Sequence, residues 1–73
     1  MRFRYEVSID CSDLGKRVTV RFRLHSTGLS DVVGILETCD DETFGIRDRT
    51  GTLRRVARAD VVAAKVVAPP AER

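Results

Sequence analysis

At 73 residues, 42% of them apolar, the chain has material for one small domain with a modest core and no room for a deep catalytic cleft beside it. Thirteen Lys and Arg against eleven Asp and Glu leave a net charge of +2. That balance excludes a strongly basic nucleic-acid-binding domain unless the charges segregate in space. Three Phe, one Tyr and no Trp leave too few rings for a base-stacking platform or an aromatic-lined groove for proline-rich peptides.

The chain opens on M-R-F-R-Y-E-V, charged throughout and without the apolar core of a signal peptide. Phe3, Tyr5, Val7 and Ile9 alternate with Arg2, Arg4 and Glu6, the pattern of an extra N-terminal strand or an extended arm over residues 1–13. Asp10 to Gly15 is turn chemistry. From Arg17 to Leu24 the alternation is strict, with Val18, Val20, Phe22 and Leu24 on one side and Arg17, Thr19, Arg21 and Arg23 on the other. Successive side chains of a strand point to opposite faces, so this stretch predicts a half-buried strand with one apolar and one cationic face.

A loop at His25 to Gly28 leads to a second strand, Asp31 to Cys39. It is apolar on both faces: Val33 and Ile35 on one, Val32 and Leu36 on the other, with Gly34 where the chain coils or another backbone comes close. Asp40 to Glu42 reads as a solvated acidic turn, short of the oxygen ligands a calcium site needs. Thr43 to Arg49 places Phe44, Ile46 and Asp48 on one face, and R-T-G-T closes a hairpin onto Thr52 to Ala57. Arg58 to Asp60 predicts one helical or 3₁₀ turn. For residues 59–68, four valines before Pro69 and Pro70 favour a strand over a short helix.

These elements predict an all-β fold: a small SH3-like barrel of about five strands over residues 14–68, with one 3₁₀ turn before the last strand and a Pro-rich tail or linker over residues 69–73. Its expected core is Val18, Val20, Phe22, Val33, Ile35, Phe44, Ile46, Leu53, Val56, Val62 and Val66.

No catalytic constellation stands out. His25 is the lone histidine and has no orienting carboxylate or nucleophile at a recognisable spacing. Cys11 and Cys39 lack metal-ligand spacing, so no metal site is expected. A single disulfide between them is compatible with the count, but reduced thiols in a cytoplasmic protein are the expectation. The longest nearly apolar run, residues 61–70, contains Lys65 and is too short to span a bilayer, so no membrane partner is expected.

The arginines form the candidate partner-binding site: Arg17, Arg21 and Arg23 on the first strand face, extended by Arg47, Arg49 and Arg54 if neighbouring strands pair as expected. Such a cluster can grip phosphates or a partner's carboxylates. Glu37, Glu42 and Asp48 from adjoining strands would neutralise part of it, the ordinary state of a solvated sheet face.

Three segments carry a family resemblance. L-G-K-R-V-T-V-R-F-R-L, S-D-V-V-G-I-L-E and D-R-T-G-T-L-R-R-V-A-R-A-D-V-V-A-A-K-V-V-A-P-P together resemble the SH3-like N-terminal domain found ahead of GNAT-type, histone-acetyltransferase-like N-acetyltransferase domains in actinobacteria. The likeness runs from Leu14 to Pro70 and is most specific over Ala59 to Val67. It implies a non-catalytic accessory module that docks on a catalytic domain, a sister subunit or a protein substrate. Acetyl-CoA would be bound only by the implied catalytic domain, because no Q/R-x-x-G-x-G/A loop occurs in these 73 residues. Nucleic acid, read by Arg17, Arg21, Arg23 and Arg54, is the alternative partner.

Overall fold

The computed structural model describes residues 7–25 and 27–67. Five strands form one antiparallel sheet: β1 (Arg17–Arg23), β2 (Leu29–Cys39), β3 (Thr43–Asp48), β4 (Leu53–Ala57) and β5 (Val61–Val66). Their spatial order is β4-β3-β2-β1-β5. Two 3₁₀ turns accompany them: the first, Cys11–Asp13, precedes β1, and the second, Arg58–Asp60, joins β4 to β5. This is the small all-β, SH3-like arrangement that the strand pattern predicts, with residues 61–66 a strand and not a helix. Of the predicted N-terminal strand, residues 3–6 lie outside the described residues. Val7 makes an isolated parallel bridge to Ala64, and the Ser8 N–H donates to the Ala64 carbonyl at 2.7 Å. Ser26 and the tail from Ala68 onward also lie outside the described residues.

One face of the sheet holds the main core cluster, with Val62 buried outside it. Val18 and Val20 of β1, Val32 and Leu36 of β2, Phe44 and Ile46 of β3, Val56 of β4 and Ala64 of β5 form a single buried cluster with Ile9. Strands from both edges of a five-stranded sheet meet in that cluster, so the sheet curls over its own apolar face in place of a second layer.

The register corrects the predicted core in β2. Val18 lies opposite Gly34 and Val20 opposite Val32, which turns Val32, Gly34 and Leu36 inward and Val33 and Ile35 outward. Leu36 is fully buried while Val33 is 46% exposed. Leu53 pairs with Arg47 on the outer face and is only partly covered. Val66, at the end of edge strand β5, is exposed, and Phe22 is only partly buried where the β1–β5 register shifts between Arg21 and Phe22. Ile9 and Ala64 take the vacated places.

Two glycines are required by backbone geometry. At Gly34 an added Cβ would overlap the Arg47 carbonyl and lie 2.8 Å from its carbon, so the β2–β3 approach depends on the missing side chain. Gly51, at φ +89°, turns the β3–β4 hairpin in a conformation that disfavours side chains. Asp48 secures that turn: its Oδ1 accepts from the Thr50 and Thr52 backbone N–H groups at 3.0 and 3.1 Å and from the Thr50 hydroxyl at 2.6 Å.

The cysteines depart from expectation. Cys11 and Cys39 are joined as a disulfide, with Cα atoms 5.3 Å apart. The physical reason is the path before β1. The Gly15 N–H donates to the Leu36 carbonyl at 2.8 Å and the Leu36 N–H to the Lys16 carbonyl at 3.0 Å, which brings the first 3₁₀ turn onto the end of β2. Spacing along the chain carries no trace of that docking.

Leu36→Ala should cost about 2–5 kcal/mol in urea unfolding, and Val33→Ala within about 0.5 kcal/mol of nothing. Equal costs would put β2 in the opposite phase. Reducing the disulfide, which spans 28 residues, should lower unfolding stability by about 3–4 kcal/mol on the chain-entropy account, read by denaturation with and without dithiothreitol.

Candidate partner-binding face

The outer face of the sheet takes whatever the curl does not bury. Directly opposed residues in antiparallel strands share a face, so the register assembles a row across four strands: Arg17 opposite Ile35, Ile35 opposite Arg47, and Arg47 opposite Leu53. The next row runs Lys65, Thr19, Val33, and beyond it lie Ala63, Arg21, Asp31 and then Arg23, Leu29. Leu29 and Val33 are exposed and Ile35 is half-buried, so β2 presents an apolar Val33–Ile35 pair, with Leu29 beyond Asp31, and cationic residues on either side.

The face therefore gathers Arg17, Arg21, Arg23 and Arg47 as the sequence reading proposes. Arg54 is placed elsewhere. It lies opposite Ile46, so it projects from the inward side of the β3–β4 ribbon at the sheet edge, 3.9 Å from Asp48. The hairpin register decides this, and it puts Arg55, not Arg54, on the outer side, opposite Gly45.

Carboxylates interleave with these arginines. The Arg21 guanidinium donates to both oxygens of Asp31, at 2.8 and 3.2 Å, across the β1–β2 pair. Arg47 donates from Nε and Nη2 to Glu37 Oε1 at 3.1 and 2.9 Å, and from Nη1 to the Gly51 carbonyl at 3.0 Å. Glu37 reaches this face because a register shift between Leu36 and Thr38 sets it beside the ladder. Arg17, Arg23 and Arg49 form no ion pair among the described residues. Arg17 and Arg49 flank a shallow groove of about 410 Å³ that also takes in Val33, Gly34, Ile35, Arg47 and Asp48. A second depression of similar size, about 420 Å³, lies toward β5 between Arg21, Asp31, Thr19 and Lys65.

Hydrogen bonds hold several carboxyls below their ordinary range. The Arg21 guanidinium does so for Asp31, and that of Arg47 for Glu37; each arginine is raised in turn by its partner. The Thr50 hydroxyl lowers Asp48, and the Glu42 and Thr43 backbone N–H groups lower Asp40. Asp40 Oδ1 accepts from both of those N–H groups at 2.8 Å, so the acidic turn is an internally bonded cap on the β2–β3 connection. No group of His, Cys, Asp or Glu able to hold a metal ion occurs among the described residues. His25 is 93% exposed at its side chain, with Nε2 3.9 Å from Asp60 Oδ2. No helix among the described residues is long and apolar enough to cross a membrane.

Sequence reasoning missed one further arrangement. The Arg58 guanidinium lies over the Phe44 ring, 4.6 Å from its centroid, and its Nη1 donates to the Asp40 carbonyl at 2.7 Å. That contact depends on the second 3₁₀ turn docking against the β2–β3 end, which alternation along a strand does not encode.

The comparison with known families settles the kinship. The family described as the Rv0428c N-terminal Sm-like domain matches residues 12–65. The chain belongs to that family. No curated protein and no solved structure matches it. As an Sm-like domain it has the small barrel-like β-fold that its strands display; the matched span takes in Cys39, begins one residue after Cys11, and includes Arg17, Arg21, Arg23, Arg47, Arg49, Arg54 and Arg55.

The lowered carboxyls give the Sm-like domain a defined acid response. Each of these groups contributes stability that is fully present above its unfolded pKa and lost as pH falls through its depressed folded value. Urea stability should be flat from neutral pH to about pH 5 and fall below it. Asp48→Ala should lower the urea midpoint at pH 7, and the difference from the parent should shrink toward about pH 2. A pH-independent difference would show that the Asp48 charge does not hold the turn.

Proposed function

We propose that this Sm-like domain is a non-catalytic interaction module that docks through its outer sheet face, with the catalytic domain of an N-acetyltransferase as its first partner and another protein as the wider class. The observation that carries the reading is the Arg17–Ile35–Arg47–Leu53 row beside exposed Val33 and Leu29. Apolar side chains left in water on a face of mixed charge suit a protein surface, which covers them and pairs the rim. The resemblance of the three sequence segments to domains preceding N-acetyltransferases supplies the partner's class. On this reading acetyl-CoA is bound by the partner alone, and the setting is cytoplasmic.

A second reading has one observation in its favour. Arg17 and Arg49 flank the groove without carboxylate partners among the described residues, a geometry that suits phosphate. Against it, Asp31, Glu37 and Asp48 lie among the arginines and repel a polyanion.

The test is titration of the domain against an actinobacterial N-acetyltransferase catalytic domain and, in parallel, against duplex and single-stranded DNA across a salt series. The docking reading expects saturable protein binding that Val33→Asp or Arg17→Glu weakens by about tenfold or more. DNA binding in the micromolar range with a steep salt dependence, and no protein binding, would replace it with the second reading.

A further inference from the structure

The end of β2 brings together a disulfide, a ring and a fixed cation. Arg58 Nη1 lies 3.9 Å from Cys39 Sγ. The same guanidinium is held by two contacts that do not involve sulfur, the Phe44 ring and the Asp40 carbonyl, so its charge stays in place when the S–S bond opens. The Arg58 backbone N–H adds a third anchor, donating to the Glu42 carbonyl at 2.8 Å.

The two cysteines differ in burial. Cys39 is half-buried and packs against the core; Cys11 belongs to an exposed residue. On the Cys39 side the facing charges are Arg58 and the turn acids Asp40, Asp41 and Glu42, with the Asp40 carboxylate already bonded to the N–H groups of Glu42 and Thr43. On the Cys11 side they are Asp10, Asp13 and Lys16, with Lys16 Nζ 3.1 Å from Asp13 Oδ1. A neighbouring guanidinium favours thiolate, and neighbouring carboxylates disfavour it.

We propose that the Cys11–Cys39 bond is a thiol–disulfide exchange site of fixed polarity, in which an external dithiol attacks the sulfur of Cys11, the more exposed residue of the pair, and Cys39 leaves as a thiolate beside Arg58. The attacking thiolate forms a new S–S bond to Cys11 Sγ, and the electron pair of the broken bond goes to Cys39 Sγ. The second thiol of the dithiol then loses its proton, attacks the mixed disulfide and releases Cys11, which takes up that proton. The dithiol is oxidised by two electrons to its disulfide. This chain gains the same two electrons as a Cys11 thiol and a Cys39 thiolate, and the proton of the first attacking thiol passes to solvent. A more stable leaving thiolate departs faster, and attack favours the accessible sulfur, so both effects select the same direction. Exchange is local, because the Gly15–Leu36 and Leu36–Lys16 backbone bonds hold the segment to β2 without the disulfide.

The test begins with the unaltered chain. The oxidised protein is treated with limiting reduced glutathione at neutral pH, with iodoacetamide present to capture the thiol released, and is then peptide-mapped. Glutathione should be found on Cys11 and the alkyl group on Cys39, in about tenfold excess over the reverse. An even or reversed distribution overturns the proposal. Arg58→Gln should slow opening by dithiothreitol several-fold and raise the pH at which reduced Cys39 alkylates, whereas Arg58→Lys should retain much of both. Unchanged rates and pH profile in a folded Arg58→Gln variant would also overturn it.

Discussion

A single five-stranded sheet with no second layer can bury an apolar face only against itself, and most of what the domain displays follows from that constraint. The inner face is filled by residues from every strand, with Phe44, Leu36, Ile46, Val18 and Val20 completely enclosed. To bring β4 and β5 over the same core the sheet must bend, and β2, the longest strand at 11 residues, carries the means. Gly34 lets the β3 backbone come close, and the register shift after Leu36 adds local twist. Among the described residues, the charged side chains are then left to the outer face and to the two ends of the curl.

How far the sequence discloses this depends on whether a strand has one apolar face or two. In β1 every second residue is polar, so Val18 and Val20 can only point inward. In β2 both faces are apolar, and the choice between Val32/Leu36 and Val33/Ile35 is made by pairing with β1, a non-local fact. The hairpin is legible because Asp48, Thr50 and Gly51 are the turn itself. Arg54 and Arg55 differ by one position and project to opposite sides, so assigning the outer cluster needed the register. The sequence admits the disulfide but favours free thiols, and it does not disclose the Arg58–Phe44 stack, for a related reason: each joins segments brought together by docking of short 3₁₀ turns.

The outer face combines two kinds of arginine. Arg21 and Arg47 are committed to cross-strand carboxylates and stiffen the sheet; Arg17, Arg23 and Arg49 have no such partner among the described residues. Val33 and Leu29 lie between these sets, so a partner can gain apolar contact and charge pairing in one footprint. Membership of the Sm-like domain family fixes the fold. At the other end of β2, Arg58 lies beside the Cys39 sulfur and donates to the Asp40 carbonyl, so the β4–β5 connection packs onto the β2–β3 turn.

The claim that the outer face is the working surface is tested most directly by amide NMR of the isotopically labelled domain during addition of an N-acetyltransferase catalytic domain, the partner class proposed above. The account predicts perturbations centred on Arg17, Val33, Ile35 and Arg47, with buried Phe44 and Val56 unmoved. Perturbations confined to the free edges of β4 and β5, with the outer face silent, would contradict it.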